Sequence, residues 1–220
     1  MKILVIAPHG DDEALGAGGV LAKHARAGDT LYRCIVTKTY PPEWPTSFQK
    51  EREREIARSG EILHITKTFS LGFPTVKLDT VPQKELNDRL SEIVKEVRPD
   101  IVYTTSGADL NRDHRIVFES TLVAARPVPG SSVKKLLSYE VVSETEWGRN
   151  LGIFNPNYYV PLTAEDVRTK LSAMKAYKSE LREYPHPRSL EVLETLAKLR
   201  GSEIGCQLAE AFALIREIKL

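Results

Sequence analysis

An apolar segment within residues 2–7 ends directly in the polar run PHGDDE at residues 8–13. Its β-branched side chains are typical of a buried parallel strand. The polar run places one imidazole and three carboxylates close together, and packing adjacent like charges is costly unless a cation or strong donors compensate. Because sites in α/β sheets lie at the carboxyl ends of strands, this position predicts a functional site. His9 and Asp12 suit a divalent metal there, which leaves Asp11 for proton transfer.

Strand and helix patterns alternate along the rest of the chain. Thr30–Thr37 and Asp100–Thr105 resemble the first strand, and residues 82–97 carry apolar side chains on one helical face. The remaining predicted elements are helices at 13–27, 49–63, 114–125, 164–181 and 190–200 and strands at 136–142 and 158–162. This alternation predicts an α/β fold with a parallel sheet, helices on both faces and a more mixed second half, in a single domain over residues 1–220.

The overall composition limits the possible partners. The formal net charge is +1, so the sequence indicates no general surface for nucleic acid or an anionic membrane. Cys34 and Cys206 are far apart in sequence and do not form a zinc-ribbon or disulfide pattern. No segment has the length of a membrane span or the pattern of a signal peptide. We therefore expect a cytoplasmic enzyme with no nucleic-acid partner and no membrane insertion.

A second polar motif, residues 109–115, follows the predicted strand at residues 100–105. In a parallel sheet this places it at the same edge as residues 8–13, where His114 becomes a third ligand and Asp113 a partner that orients an imidazole. Two nitrogens and one oxygen suit zinc, and three protein ligands leave one position for water. Zinc lowers the pKa of such a water to about 7.

Simpler interpretations exist for each motif alone. An Asp before a helix is a common N-cap, and a histidine at a helix start is more often structural than catalytic. The glycines of residues 16–19 suggest a dinucleotide-binding loop, but their spacing from the strand is wrong and the preceding acidic run would repel a pyrophosphate. We expect these glycines to allow close packing of the first helix, and Pro41–Pro45 to form a stiff loop at the rim of the site.

Taken in order, the motifs resemble those of the PIG-L/LmbE family of zinc-dependent N-deacetylases. The strongest matches are PHGDDE at 8–13, LGAGG at 15–19 and RDHR at 112–115. Weaker matches in the same order are Arg52 with Glu55, LGFP at 71–74, ETEW at 144–147, HPRS at 186–189, Arg200 with Gly201, and AEAF at 209–212. Together they extend over nearly the whole chain.

The resemblance implies a Rossmann-like, three-layer α/β fold and hydrolysis of the acetamide of an amino sugar, typically an N-acetylglucosaminyl group. It also implies one zinc ion per chain, with other divalent metals as alternatives, held by His9, Asp12 and His114. Asp11 would be the general base that takes a proton from the zinc-bound water. Family members often form trimers or hexamers, so we expect a homo-oligomer that acts on a small N-acetylated amino sugar or conjugate.

One difference from the family concerns the group that stabilises the oxyanion, the negatively charged oxygen that forms when water attacks the amide carbonyl. Many members carry a histidine three residues before the last zinc ligand, whereas this chain has Asn111, which can donate a hydrogen bond but cannot act as a general acid at neutral pH. His186 is therefore expected to supply a proton or to bind the substrate. Arg52, Trp147 and Arg188 are expected to bind the substrate. The alternatives are a solvated arginine for Arg52, a core residue for Trp147 and an exposed loop residue for His186.

Two other functions are compatible with the sequence. One is an amidase that acts on a larger sugar–thiol conjugate or another acylated amine. The other is a non-catalytic relative that binds a sugar or a nucleotide. Asn111 favours this second alternative, whereas the complete set of ligands and base argues against it.

Overall fold

Residues 1–219 are described by the computed structural model, and they form a seven-stranded sheet between two helical layers. The strands are β1 (Lys2–Ala7), β2 (Thr30–Lys38), β3 (Ile65–Pro74), β4 (Ile101–Thr105), β5 (Lys135–Tyr139), β6 (Tyr158–Pro161) and β7 (Ala209–Glu217). The helices are α1 (Asp12–Arg26), α2 (Thr46–Ile62), α3 (Gln83–Val97), α4 (Arg112–Ala124), α5 (Ala164–Ala176) and α6 (Leu190–Ser202). None of these helices combines the length and the apolar character that crossing a membrane requires.

The strand order places the two polar motifs next to each other. Across the sheet the order is β3-β2-β1-β4-β5-β7-β6. Strands β1 to β5 pair in parallel, whereas β7 runs antiparallel to both β5 and β6. This confirms the predicted α/β class with a mainly parallel sheet and a mixed C-terminal part. Since β1 and β4 are direct neighbours, the segments that follow their carboxyl ends lie side by side.

The central strand β1 is anchored from both faces of the sheet. Successive side chains of a strand point to opposite faces. Ile3 and Val5 belong to the core that includes α1 and α5, whereas Leu4 and Ile6 belong to the core that includes α3 and α4. All four side chains are fully buried. The loop that leaves β1 therefore begins from a fixed position.

The glycines of α1 allow close packing, as the sequence predicts. A Cβ atom on Gly16 would lie 2.1 Å from the Tyr139 ring and 2.8 Å from the carbonyl oxygen of Glu140. A Cβ atom on Gly19 would lie 2.5 Å from the Leu162 side chain. Such distances are too short for real carbon contacts. Glycine is therefore required at both positions, because α1 packs so closely against its neighbours.

Two strands and one helix end differ from the prediction. β3 lies at the edge of the sheet and leaves most of its side chains partly exposed, so its sequence has no continuous apolar run. β7 lies between β5 and β6 and pairs with both of these strands, which are distant in sequence. No local sequence pattern predicts such a strand. The helix predicted over 164–181 ends at Ala176, because the buried Tyr177 begins a turn that brings Ser179 to Glu55 of α2.

Candidate active site

Three side chains from two segments meet where β1 and β4 end. His9 follows β1, Asp12 is the first residue of α1, and His114 lies in the first turn of α4. The Nδ1 atom of His9, the Oδ2 atom of Asp12 and the Nε2 atom of His114 form a triangle with sides of 3.2, 3.3 and 3.2 Å. Asp12 and His114 are buried, and His9 is half-buried. The structure thus brings together the three side chains that the sequence predicts as ligands.

This triangle has the dimensions of one face of a tetrahedral metal site. Zinc bonds to nitrogen and oxygen ligands are about 2.0–2.1 Å long, so neighbouring ligand atoms lie roughly 3.3–3.4 Å apart. Among the His, Cys, Asp and Glu side chains of residues 1–219, these three offer ligand atoms that all lie within 4.8 Å of one another. The donor set of two imidazole nitrogens and one carboxylate oxygen fits a divalent cation.

Each of the two histidines has a carboxylate at its other ring nitrogen. His9 Nε2 lies 3.2 Å from Asp113 Oδ2, and His114 Nδ1 lies 3.2 Å from Asp109 Oδ2. Asp113 also accepts a hydrogen bond from the backbone N–H of Val76, and Asp109 accepts one from the Thr145 hydroxyl. Such partners orient metal-binding imidazoles. The sequence predicts this role for Asp113 but not for Asp109, although Asp109 lies in the second polar motif.

The ligand cluster has strongly perturbed proton affinities. Burial by itself would lower the pKa of His9, but its hydrogen bonds with Asp113 and Asp12 outweigh burial and raise that pKa to about 9. Burial also opposes the charged form of His114, yet the charge of Asp12 and the nearby Asp109 hold its pKa well above the usual value. Conversely, the two imidazoles hold the pKa of Asp12 well below its usual range despite burial. Protons therefore compete with a cation for this cluster.

Asp11 lies beside the triangle and differs from Asp12 in its environment. Burial and the adjacent charge of Asp12 raise the pKa of Asp11 to about 7, although Arg52 and Arg188 act in the opposite direction. The Oδ2 atom of Asp11 is buried and has no hydrogen-bond partner within residues 1–219. A carboxylate with a pKa near neutrality and a free oxygen is suited to accept a proton.

Arg52 of α2 supports the loop that carries Asp11. One terminal nitrogen of its guanidinium donates to the carbonyl oxygen of Gly10 at 2.7 Å, and the other donates to Glu55 and Ser179 at 3.0 Å each. Its Nη2 atom lies 3.7 Å from Asp11 Oδ1. The side chain lines the site, as expected of a substrate-binding residue, but these contacts direct most of its donors to the chain itself.

Arg188 approaches Asp11 from the other side. Its Nη1 atom lies 3.5 Å from Asp11 Oδ2 and donates to Glu180 at 2.7 Å. Its Nε and Nη2 atoms donate to Ser143 at 2.7 Å and to Glu144 at 3.0 Å. The C-terminal half of the chain thus places the positively charged guanidinium of Arg188 next to the side chain of Asp11. Sequence patterns do not identify Glu144 and Glu180 individually as residues of the site.

A cavity of about 230 Å³ opens beside these side chains. Two of the three ligands and Asp11 line it, together with both arginines. Its apolar lining comes from β2, α2 and the loop between them, namely Ile35, Trp44, Phe48 and Ile56. Its further polar lining includes Thr37, Lys38, Gln49, Glu53, Ser70, Asn111, Glu144 and Glu180. The predicted rim loop, Pro41–Pro45, therefore reaches the cavity through one aromatic side chain.

Three other predicted site residues occupy different positions relative to this cavity. Asn111 lines it and caps α4, because its side-chain oxygen accepts a hydrogen bond from the backbone N–H of Asp113 at 3.0 Å. His186 is not among the lining residues, and its Nδ1 atom accepts a hydrogen bond from the backbone N–H of Arg188. Trp147 also lies outside the lining and is 56% exposed.

A buried ion pair fixes the start of α1 behind the site. Arg33 of β2 is fully buried and donates to Glu13 Oε1 at 2.6 Å and to the carbonyl oxygen of Ile56 at 2.7 Å. The hydroxyl of Tyr177 donates to the same carboxylate oxygen at 2.6 Å. Glu13 thus joins α1 to β2 and to the end of α5, which holds the neighbouring Asp12 in place.

The first half of the chain, including the three ligands and Asp11, matches a known family. Residues 4–125 match the model of the PIG-L family, described as GlcNAc-PI de-N-acetylase. The chain belongs to the PIG-L family. It is a hydrolytic N-deacetylase, and the structure has the α/β fold that this family resemblance implies.

Known relatives of this PIG-L protein extend over most of its length. It is 32% identical to the uncharacterized deacetylase YaiS of Escherichia coli over 80% of this chain and 90% of that protein. It is 24% identical to the diacetylchitobiose deacetylase of Thermococcus kodakarensis over 100% of this chain and 85% of that protein. The crystal structure of the conserved protein TT1542 from Thermus thermophilus superimposes with a TM-score of 0.79 and 26% identity, covering 99% of this chain and 96% of that one.

Proposed function

We propose that this chain removes the acetyl group from an N-acetylglucosamine-type amino sugar or sugar conjugate, with a zinc ion held by His9, Asp12 and His114. The observation that carries the proposal is the buried Oδ2 atom of Asp11, which accepts no hydrogen bond within residues 1–219 and lies beside the ligand triangle and next to a cavity. The names of the PIG-L family and of the Thermococcus relative support an N-acetylated sugar as the substrate.

The donor set supports zinc, although other divalent cations share these ligands. Zinc bound there would polarise the amide carbonyl and lower the pKa of water, which an unreactive amide requires. Asp113 and Asp109 each place a carboxylate oxygen 3.2 Å from the second ring nitrogen of His9 and His114, where they would orient the imidazoles for a cation.

Asp11 is proposed as the proton carrier. Its Oδ2 atom accepts a proton from the attacking water, and the same carboxyl then returns that proton to the amide nitrogen as the C–N bond breaks. The products are acetate and the free amino sugar. Arg52 and Arg188 flank this carboxylate and keep it in place through both steps. His186 is proposed to hold the backbone of Arg188 through its Nδ1 atom.

Asn111 is proposed to stabilise the oxyanion. Its side-chain oxygen is occupied by the cap of α4, which identifies the amide N–H groups as the end available to the cavity. A neutral donor held in place and aimed at a developing negative charge stabilises the transition state. Arg188 and Arg52 also line the cavity and add positive charge to it.

A screen of N-acetylated sugars with zinc-loaded protein tests this function. Mass spectrometry should detect the free amine of an N-acetylglucosaminyl compound, and the variant His114→Ala, which lacks one ligand, should form none. A folded, zinc-loaded protein that leaves all N-acetylated amino sugars intact, or a His114→Ala variant with full turnover, would contradict the proposal.

A further inference from the structure

The cavity has an aromatic wall that deacetylation itself does not use. Trp44 in the rim loop and Phe48 in the first turn of α2 line it, together with Ile35 of β2 and Ile56 of α2. Both aromatic side chains are partly exposed, so each offers a face to whatever enters. None of the proposed chemical steps involves these residues.

The position of Trp44 is fixed by its neighbours. Its backbone N–H donates to the carbonyl oxygen of Tyr40 at 3.1 Å, and its own carbonyl oxygen accepts from Gln49 Nε2 at 3.3 Å. Its ring meets the Tyr40 ring edge to face, with centroids 5.5 Å apart, and Lys77 Nζ lies 4.4 Å from the centroid of the Tyr40 ring. A side chain that is already ordered loses little conformational freedom when a ligand stacks on it.

Polar groups surround this aromatic wall and limit what can bind there. Lys38 and Glu53 line the cavity as an ion pair with an N–O distance of 2.8 Å, and Gln49 and Ser70 line it as well. An alkyl chain lying here would remove water from these groups without replacing its hydrogen bonds. A pyranose ring has an apolar C–H face for the aromatic side chains and hydroxyl groups at its edge for the polar ones.

The size of the cavity indicates where such a ring would lie. Its volume of about 230 Å³ is below the ~300–1,000 Å³ of sites that enclose a drug-sized ligand. The acetamide and its own sugar ring must occupy the part next to Asp11. A second ring attached to that sugar would then extend towards the rim, where Trp44 lies.

We propose that Trp44 and Phe48 form a subsite for a second, neutral pyranose ring attached to the N-acetylated sugar, so that the preferred substrate is at least a disaccharide. This rests on the proposed function, since the first ring is placed by its acetamide. Trp44 is then a specificity-determining residue that binds the attached sugar and takes no part in proton transfer.

Binding to the turnover-deficient variant Asp11→Asn, loaded with zinc, tests the subsite separately from the reaction. NMR titration should give a Kd for N,N′-diacetylchitobiose that is roughly tenfold lower than that for N-acetylglucosamine. Adding Trp44→Ala should abolish this difference, because only the disaccharide carries the ring that stacks on this side chain. Adding Trp44→Phe, which keeps an aromatic face, should retain most of it.

Several outcomes would overturn the subsite. One is an equal loss of affinity for both sugars in Trp44→Ala, which would show that the residue only shapes the cavity. A second is an octyl glycoside of N-acetylglucosamine whose affinity gain over the monosaccharide depends on Trp44 and equals that of the disaccharide. This result would make the occupant of the subsite an apolar chain. A third is loss of the disaccharide preference in Trp147→Ala but not in Trp44→Ala. Failure of the proposed function, by contrast, would appear as no acetate release from either sugar by the unmodified chain.

Discussion

At the scale of single residues, Asp11 and Asp12 show how adjacent carboxylates acquire opposite properties. Asp12 is surrounded by two imidazoles that favour its charged form, whereas Asp11 is buried next to the charge of Asp12 itself. The first is therefore suited to hold a cation, and the second to exchange a proton near neutral pH. Their separate roles follow from the neighbours of each side chain.

Replacing Asp11 by Asn should separate turnover from stability. Turnover should fall by about 10²–10⁴-fold, because a positioned proton acceptor is lost, while zinc content is unchanged. The metal-free variant should unfold at a higher temperature than the unmodified chain at pH 8, because a buried charge next to Asp12 is removed. Acetate release, metal analysis and thermal unfolding measure these effects. Asp88→Asn, which changes an exposed carboxylate on α3, is the control, and retained turnover in Asp11→Asn would refute the role of the base.

Two substitutions of Asn111 should distinguish its cap from its proposed catalytic role. Asp is as good an N-cap as Asn but has no N–H to donate. Asn111→Asp should therefore keep the unfolding temperature and lower kcat by about 10²-fold. Asn111→Ala should lower kcat similarly and also cost about 1 kcal/mol of stability. Full turnover in Asn111→Asp would show that Asn111 acts only as a helix cap.

At the scale of elements, α1 is the part of the fold on which the site depends most. Its first turn carries Asp12 and is tied to β2 through Glu13 and Arg33. Its middle is tied to α5 and β7 by a second buried ion pair, in which Lys170 Nζ lies 2.6 Å from Glu210 Oε1. The same carboxylate accepts backbone N–H groups of α1, and Lys170 donates to the carbonyl oxygen of Leu15.

Breaking this second ion pair on one side should be more harmful than removing both charges. Glu210→Gln should lower the free energy of unfolding by about 3–5 kcal/mol, because Lys170 is left buried without its partner. The double variant Lys170→Met/Glu210→Gln should recover a large part of that loss. Lys84→Met in the exposed pair with Asp88 should cost less than about 1 kcal/mol. Urea unfolding measures all three, and a double variant less stable than Glu210→Gln would contradict this interpretation.

Local patterns were sufficient to predict the central strands and the three side chains that form the candidate metal site. His9, Asp12 and His114 each follow a strand whose apolar character is visible in the sequence, so the parallel sheet alone predicts that they meet. The partners of Arg188 and the aromatic wall at Trp44 depend on tertiary contacts between distant segments. The short α5 has the same cause, because burial of Tyr177 overrides a helical pattern that continues to residue 181.

At the scale of the whole molecule, the proposed cation joins two separate segments of the chain. His9 and Asp12 lie at the β1–α1 junction, and His114 lies a hundred residues later in α4. A cation that binds only the folded chain stabilises it in proportion to its occupancy. The same cluster also binds protons in the folded state, so stability, metal binding and pH are linked.

The stabilisation by zinc should increase with pH. The raised pKa values of His9 and His114 stabilise the metal-free folded chain. This stabilisation is fully present below pH 6.5, because about 6.5 is the histidine pKa in the unfolded chain. It is lost as the pH rises through about 9, which is the pKa of His9 in the folded chain. The raised pKa of Asp11 acts in the same direction up to about 7. Zinc displaces the protons of His9 and His114, so the difference in unfolding temperature between zinc-loaded and metal-free protein should grow from about pH 6 to about pH 8.5. A difference that is constant or shrinks with pH would contradict this linkage.

The most direct test of the central claim is a titration of zinc into metal-free protein, with acetate release from N,N′-diacetylchitobiose as the readout. Release should be absent without metal, rise in proportion to added zinc and level off at one ion per chain, because one ligand triangle forms the site. His114→Ala should show no such rise. Acetate release that is independent of metal, or no release at any zinc concentration, would contradict the assignment of this chain as a zinc-dependent deacetylase of amino sugars.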